Sequence, residues 1–321
     1  MSPALPSYLQ PLSHGVYSID TGFHREAFDA CYLVVEHGHA AFIDTGTNFS
    51  VPRLLGALEA LGLGVDAVDW AIPTHVHLDH AGGAGLLMRS LPRARVLVHP
   101  RGARHLVDPS ALWNSATAVY GTEEMLRSYG ALVPVAAERV DVSHDGMHIT
   151  LAGRPLQLMH TPGHAKHHHC IWDEASHGWF TGDTFGLSYR EFDTAQGAWI
   201  VPTSTPVQFE PEVLRGSIQR MLAAQPAWMY LTHYGRVGDV QRLGRLLLGL
   251  LDEMVALGLR VRAWPHAERH QALKAEQLQI FTRSLREHDC GLAAERIVEL
   301  LAMDLELNAQ GMGIWLDRKQ R

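Results

Sequence analysis

Short apolar runs bounded by turn residues alternate with stretches of helical period through the first three quarters of the chain. Residues 30–35 and 40–44 are apolar, brief and separated by a turn at Gly38, which predicts two paired strands. Residues 51–61 place Leu54, Leu55, Leu58 and Leu61 three and four positions apart, on one face of a helix. Buried strands are predicted at 69–74 and 95–99, with a helix at 82–91 between them. Residues 101–129 are helical in period, carry Trp113, Tyr120 and Tyr129, and read as an insertion between core elements. Strands return at 147–151, 156–160, 168–172 and 178–181. Residues 185–206 mix aromatics, Gly and Pro without a period and read as a long ordered loop, a feature more often functional than idle in a compact domain. Pro211 opens a helix at the turn proline favours, and 228–232 forms one more strand, running into His233.

Beyond Val237 the pattern is wholly helical. Leu243, Leu246, Leu247, Leu250, Leu251, Met254 and Val255 recur at helical intervals, and two further helices are predicted at 268–287 and 291–307. Their apolar stripes need a partner, either the main domain or a second copy of the chain in a homodimer.

Composition narrows the class. Hydrophobic residues make up 46% and charged residues 19% of 321 positions, a balance that supports a large core. With 27 Lys+Arg against 34 Asp+Glu and no basic run, nucleic acid is not an expected partner. No stretch is apolar enough to span a bilayer, and residues 1–10 lack the charged and apolar regions of a secretory leader, so a cytoplasmic protein without a membrane partner is expected. Cys31, Cys170 and Cys290 are odd in number and far apart, which suits reduced thiols. The outlier is the count of 21 histidines, the commonest side-chain ligand for borderline metals.

Their spacing is concentrated at Thr74-His75-Val76-His77-Leu78-Asp79-His80, which follows an apolar run and precedes Gly82 and Gly83. In an extended segment His75, His77 and Asp79 point one way while Val76 and Leu78 face the core. Composition alone would produce such a run roughly 0.005 times in a chain of this length, which makes chance a poor explanation. Here the chain resembles the metallo-β-lactamase superfamily, whose signature is His-x-His-x-Asp-His at a strand end. The resemblance calls for three more motifs, and Thr161-Pro162-Gly163-His164, Thr181-Gly182-Asp183-Thr184 and Thr232-His233-Tyr234-Gly235 supply them in order. The segments around His164 and Asp183 are most similar to the glyoxalase II-like branch, although Val76 stands where that enzyme has a further histidine.

The resemblance implies that His75, His77 and His164 hold one divalent cation and Asp79, His80 and His233 another, with Asp183 bridging. Imidazole and carboxylate ligands suit zinc first, then iron or manganese, and neither set closes its coordination sphere, which is the mark of a catalytic rather than a structural site. The implied activity is metal-dependent hydrolysis of a small-molecule ester, thioester or lactone by a bridging hydroxide, with Asp79 both binding metal and orienting the nucleophile. Asp44, in Phe42-Ile43-Asp44-Thr45-Gly46, is read in two ways: accepting a ring N–H from a ligand histidine, or closing a turn at a strand end. His167, His168 and His169 are adjacent, so they cannot all reach one metal, and core or hydrogen-bonded roles are expected. Trp113, Tyr120, Tyr189, Phe192 and Trp199 are expected around the substrate, with Arg190 either an exposed side chain or an anion contact.

The implied fold is α/β, a four-layer αββα sandwich over residues 1–236 followed by a helical extension over 237–321. Two other activities known in the superfamily stand as alternatives: a di-iron redox or oxygen-binding protein related to the flavodiiron proteins, and a phosphodiesterase or nuclease.

Overall fold

The protein is described by a computed structural model covering residues 4–204 and 207–319; the side chains of Val119 and Tyr120, and Thr205 and Pro206 of the predicted loop, lie outside the described residues. The chain divides into two compact units. The first comprises residues up to His160 together with His167–Gly182 and Trp228–Arg236. The second comprises Thr161–Lys166, Asp183–Ala227 and the chain from Val237 onward.

The first unit is built on two sheets. One places β1 (Leu9–Pro11), β2 (Val16–Asp20), β3 (Ala30–Glu36), β4 (His39–Ile43), β5 (Val68–Ile72), β6 (Arg95–Val98) and β7 (Val140–Val142) side by side in chain order. Its strands are antiparallel as far as β4 and parallel from β4 to β7. The other sheet contains β8 (His148–Leu151), β9 (Arg154–His160), β10 (His169–Asp173), β11 (Gly178–Gly182), β12 (Trp228–Leu231) and β13 (Gly235–Val237), in spatial order from β13 to β8. Strands β1, β2, β7 and β13 go beyond the sequence expectation. They are three to five residues long, too short for a decisive apolar period, and are held by pairing.

Tyr32, Val34, Ile43 and Ile72 of the first sheet form one cluster with Leu156, Leu158, Ile171, Phe180 and Tyr230 of the second, so the sheets meet face to face. The phenol of Tyr32 donates to the carbonyl of Leu231 across that seam at 2.5 Å. The opposite face of the first sheet carries Leu33, Phe42, Ala71 and Val96, covered by α1 (Val51–Ala60), α3 (Ala84–Ser90) and α4 (Pro100–Val107) through Leu54, Leu58, Leu87 and Leu106. Burial on both faces is why β3 reads as an unbroken apolar run rather than an alternating one. A four-residue helix, α2 (Leu78–Ala81), precedes α3. The helical insertion is three helices rather than one: α4 gives way to α5 (Ser110–Tyr120) at Pro109, and α5 to α6 (Thr122–Ser128) at Gly121, whose φ of +84° no helix continues.

The second unit contains α7 (Pro211–Ala223), α8 (Val240–Val261), α9 (His266–Glu287) and α10 (Ala294–Lys319). The last helix runs twelve residues past the predicted 307, with Met312, Trp315 and Leu316 continuing its buried face. The apolar stripes of these helices close on one another, burying Leu243, Leu250, Met254, Phe281, Leu301 and Met312. The ordered loop after Asp183 is bound into the same core. Tyr189 Oη donates to Asp304 Oδ1 at 3.0 Å, Trp199 Nε1 to Ser284 Oγ at 2.9 Å, and Ser204 N to Asn308 Oδ1 at 2.6 Å. Tyr189, Phe192 and Trp199 are fully buried there, so they serve packing and not the substrate surface expected of them. Arg190 folds back to donate to the Ser188 carbonyl and pairs with Asp193 at 3.2 Å. Among the described residues no helix is long and apolar enough to cross a membrane.

Candidate metal centre

Strand β5 stops at Ile72 because Pro73 has no N–H to give to a neighbouring strand. The next amide, Thr74 N, donates to Asp44 Oδ1 at 2.7 Å and turns the chain out of the sheet. The strand-like alternation expected through residue 79 therefore ends early. His75 and His77 stand on a loop, and Asp79 and His80 on α2, whose N-cap is His77. Val76 and Leu78 are nevertheless buried, as the pattern requires.

Gly82 closes the turn at the end of α2, and Gly83 brings that turn against the segment following β4. A Cβ at Gly82 would stand 2.3 Å from the Leu78 carbonyl oxygen, and one at Gly83 would stand 2.6 Å from that of Thr47. Without those side chains Gly83 N reaches the Gly46 carbonyl at 2.8 Å and Thr45 N reaches that of His80 at 2.7 Å. Asp44, in the left-handed region with φ +59°, thereby faces His80. Its carboxylate accepts from Thr74 N, from the Thr74 hydroxyl at 3.0 Å, from the Thr232 hydroxyl at 2.9 Å and from His80 Nδ1 at 2.9 Å. Asp44 thus ends the strand and also accepts from the His80 ring.

These contacts assign the ring protons. A carboxylate can only accept, so His80 carries its proton on Nδ1 and presents the lone pair of Nε2. His233 Nδ1 lies 2.9 Å from the Phe28 carbonyl oxygen, which fixes the same tautomer. His80 Nε2 and His233 Nε2 stand 3.8 and 3.4 Å from Asp79 Oδ2. The ligand atoms of Asp79, His80 and His233 all lie within 4.8 Å of one another. Three electron-pair donors converge where hydrogen bonding elsewhere has used up their protons, and a cation relieves their mutual repulsion.

His75 and His77 form a second pair. The Thr74 hydroxyl gives its proton to Asp44 and so accepts from His75 Nδ1 at 3.2 Å, which leaves His75 Nε2 facing His77 Nδ1 at 2.8 Å. His168 stacks on His75 at 4.7 Å between ring centroids, and Gly182 is glycine because a Cβ there would meet Thr74 Oγ1 at 2.5 Å and His168 Nε2 at 2.6 Å. In the second unit, His164 Nε2 and Asp183 Oδ2 lie 3.4 Å apart and both residues are buried. Their turn is clamped on α7: Glu210 N donates to the Gly163 carbonyl at 2.8 Å and Ser217 Oγ to that of Pro162 at 2.7 Å.

Several contributors were beyond motif reading. The Phe28 carbonyl is a backbone group, and Thr74 and Thr232 act through Asp44. Buried Asp29 has its carboxyl pushed up to about 7 by desolvation, against the pull of His233 and His80. Burial first, and then His77, His105 and His99, push His167 down to about 2. His169 is pushed down to about 3 by burial and His99, and its ring bridges Ser143 Oγ at 2.8 Å and the Pro73 carbonyl at 2.9 Å.

A pH dependence follows for His169. Its folded value lies below the ordinary 6.5, so between pH 6.5 and 3 the unfolded chain binds the extra proton and stability falls as the pH falls. The slope is about 1.4 kcal/mol per pH unit for this one group. Denaturant unfolding between pH 7 and 5 is expected to show a shallower decline for His169→Gln than for the parent protein. Equal slopes would remove His169 as a source.

The chain is 27% identical over 177 residues to the metallo-β-lactamase fold-containing protein ST1585 of Sulfurisphaera tokodaii, covering 54% of this chain and 63% of that protein. The crystal structure of ST1585 superposes with a TM-score of 0.64 at 21% identity, over 94% of this chain and 99% of that one. The human acyl-coenzyme A thioesterase MBLAC2 is 29% identical over 184 residues, 54% of this chain and 64% of its own. The type A flavoprotein fprA of Rhodobacter capsulatus is 28% identical over 201 residues, 58% of this chain and 40% of its own. The chain therefore spans less than two thirds of each of these curated relatives. The family pattern of the metallo-β-lactamase superfamily matches residues 25–233. The αββα sandwich class with C-terminal helices is thus the fold of this chain, which belongs to the metallo-β-lactamase superfamily.

Proposed function

We propose that the protein is a hydrolase with two divalent cations, zinc first and iron or manganese next, acting on an ester, thioester or lactone carbonyl of a small molecule. His75, His77 and His164 would hold one cation and Asp79, His80 and His233 the other, with the Asp183 carboxylate available to both. The observation that carries this reading is the convergence of His80 Nε2, His233 Nε2 and Asp79 Oδ2, with both outer ring nitrogens tied to acceptors. A divalent cation in such a set polarises a carbonyl and brings the pKa of water down to about 7.

The protein's own groups supply orientation. Asp44 and the Phe28 carbonyl hold two imidazoles in the tautomer that offers Nε2. Asp79 is a quarter exposed, so solvent reaches its carboxylate, which would orient the attacking water. The similarity to an acyl-coenzyme A thioesterase supports thioesters as the first substrates to assay.

The test is metal analysis of purified protein followed by thioesters, lactones, phosphodiesters and β-lactams with the matching ion. Two equivalents of metal and carbonyl hydrolysis are expected, and Asp183→Ala is expected to lower both. Activity that survives Asp183→Ala would overturn the bridging role. The similarity to a type A flavoprotein supports one second reading, di-iron redox chemistry, which predicts bound iron, a visible absorption band and oxygen uptake in place of hydrolysis.

A further inference from the structure

The loop bearing His75 and His77 is covered by α4, and α4 is cationic. Gly102 lets the helix approach: a Cβ there would stand 2.9 Å from Val76 Cγ1 and 3.9 Å from His167 Cβ. The residues around it, Pro100-Arg101-Gly102-Ala103-Arg104-His105-Leu106-Val107, include no acid. Gly102 and Leu106 form the buried face, while Arg101, Arg104 and His105 lie at i, i+3 and i+4 on a neighbouring one.

That face leads to the candidate centre through a file of imidazoles. The ring of His77 lies 5.5 Å from that of His167, and His167 lies 6.5 Å from His105, centroid to centroid. Arg104 Nε donates to His105 Nε2 at 3.2 Å, which leaves the rest of its guanidinium facing solvent. Arg101 and Arg104 are exposed, and among the described residues neither meets a carboxylate. Together they place positive charge on one helix face of a chain with a net charge of -7. The nearest acid in sequence, Asp108, turns away to accept from Ser110 N at 3.1 Å. A local field of one sign beside a reaction site concentrates ligands of the other sign.

We propose that Arg101, Arg104 and His105 of α4 recognise an anionic group carried by the substrate, a phosphate or a carboxylate, and so select anionic over neutral thioesters and esters. The proposal rests on the hydrolase reading above. Two exposed guanidinium groups three positions apart on one helix suit either anion, and Arg104 is tied to His105, whose ring lies beside His167. The residues determine specificity and take no part in bond breaking.

The test compares one acyl group on three leaving groups with the metal-loaded protein: coenzyme A, which carries phosphates; glutathione, which carries carboxylates; and neutral N-acetylcysteamine. In Arg101→Glu/Arg104→Glu, kcat/KM for an anionic thioester relative to the neutral one is expected to fall on the order of tenfold, through KM. The anion whose ratio falls identifies the source. Arg89→Glu/Arg93→Glu, an equal charge change on the same unit, is the control and is expected to leave the ratios unmoved. Calorimetric titration with coenzyme A reads the same face without turnover, with an expected affinity loss of the same order in the α4 variant. Coenzyme A binding that depends on Arg101 and Arg104, with no thioester hydrolysed by the parent protein, would sink the hydrolase reading and keep the anion face. Ratios and affinity that do not change in the α4 variant, or that change equally in the control, would overturn the anion face even in an active hydrolase.

Discussion

Asp79→Asn is expected to lower kcat on the order of a thousandfold while the protein stays folded. The amide has the shape of the carboxylate, and the side chain is a quarter exposed, so packing changes little. What changes is charge. Asp79 Oδ2 lies 3.4 Å from His233 Nε2 and 3.8 Å from His80 Nε2, and it is the one anionic member of that trio. Without it that cation keeps two imidazoles and only the shared Asp183 carboxylate, and the attacking water loses the group that aims it. Steady-state kinetics with metal analysis of the same sample decides the matter. Hydrolysis within tenfold of the parent, at unchanged metal content, would remove Asp79 from the chemistry.

The second large effect is expected at Asp44, which touches no cation. Asp44→Asn puts an NH2 among four donors, so at least one of Thr74 N, the Thr74 and Thr232 hydroxyls and His80 Nδ1 loses its acceptor in the interior. Each buried donor left unmet costs about 1–3 kcal/mol, which chemical denaturation will read. His80 is also freed to carry its proton on Nε2, where it blocks a cation. Metal affinity is expected to fall about 10- to 100-fold, as when the outer partner of a ligand histidine is removed. Competition with a chelator measures this separately from stability. A destabilised variant with unchanged affinity would make Asp44 a strand-end residue only.

Much of this site was legible in the order of residues along the chain. His75, His77, Asp79 and His80 are local in sequence, and their spacing beside Gly82 and Gly83 constrains the backbone whatever surrounds it. The long helices, the buried β3 and the β4 end carrying Asp44 were equally plain, since burial on one or both faces leaves a period in the sequence. Short strands were not, because three to five residues carry too little pattern and their stability comes from neighbours. The aromatic residues of the loop after Asp183 misled for a related reason. An aperiodic segment rich in Tyr, Phe and Trp looks the same whether it lines a cleft or fills a core, and contacts with Asp304 and Ser284, about a hundred residues away, settle it.

By itself the sequence determined the family, the sheet-and-helix class and the identity of the ligand-type side chains. Those depend on residue types at fixed short spacings. Only the tertiary structure decided the state of each imidazole. Which nitrogen of His80 or His233 bears the proton depends on acceptors at Asp44 and Phe28, which lie 36 and 205 positions away. Likewise α4 is an ordinary exposed basic helix until folding lays Gly102 on Val76 and sets His105 beside His167, next to His77. Proton placement and local field depend on distances between remote segments, and folding creates those distances.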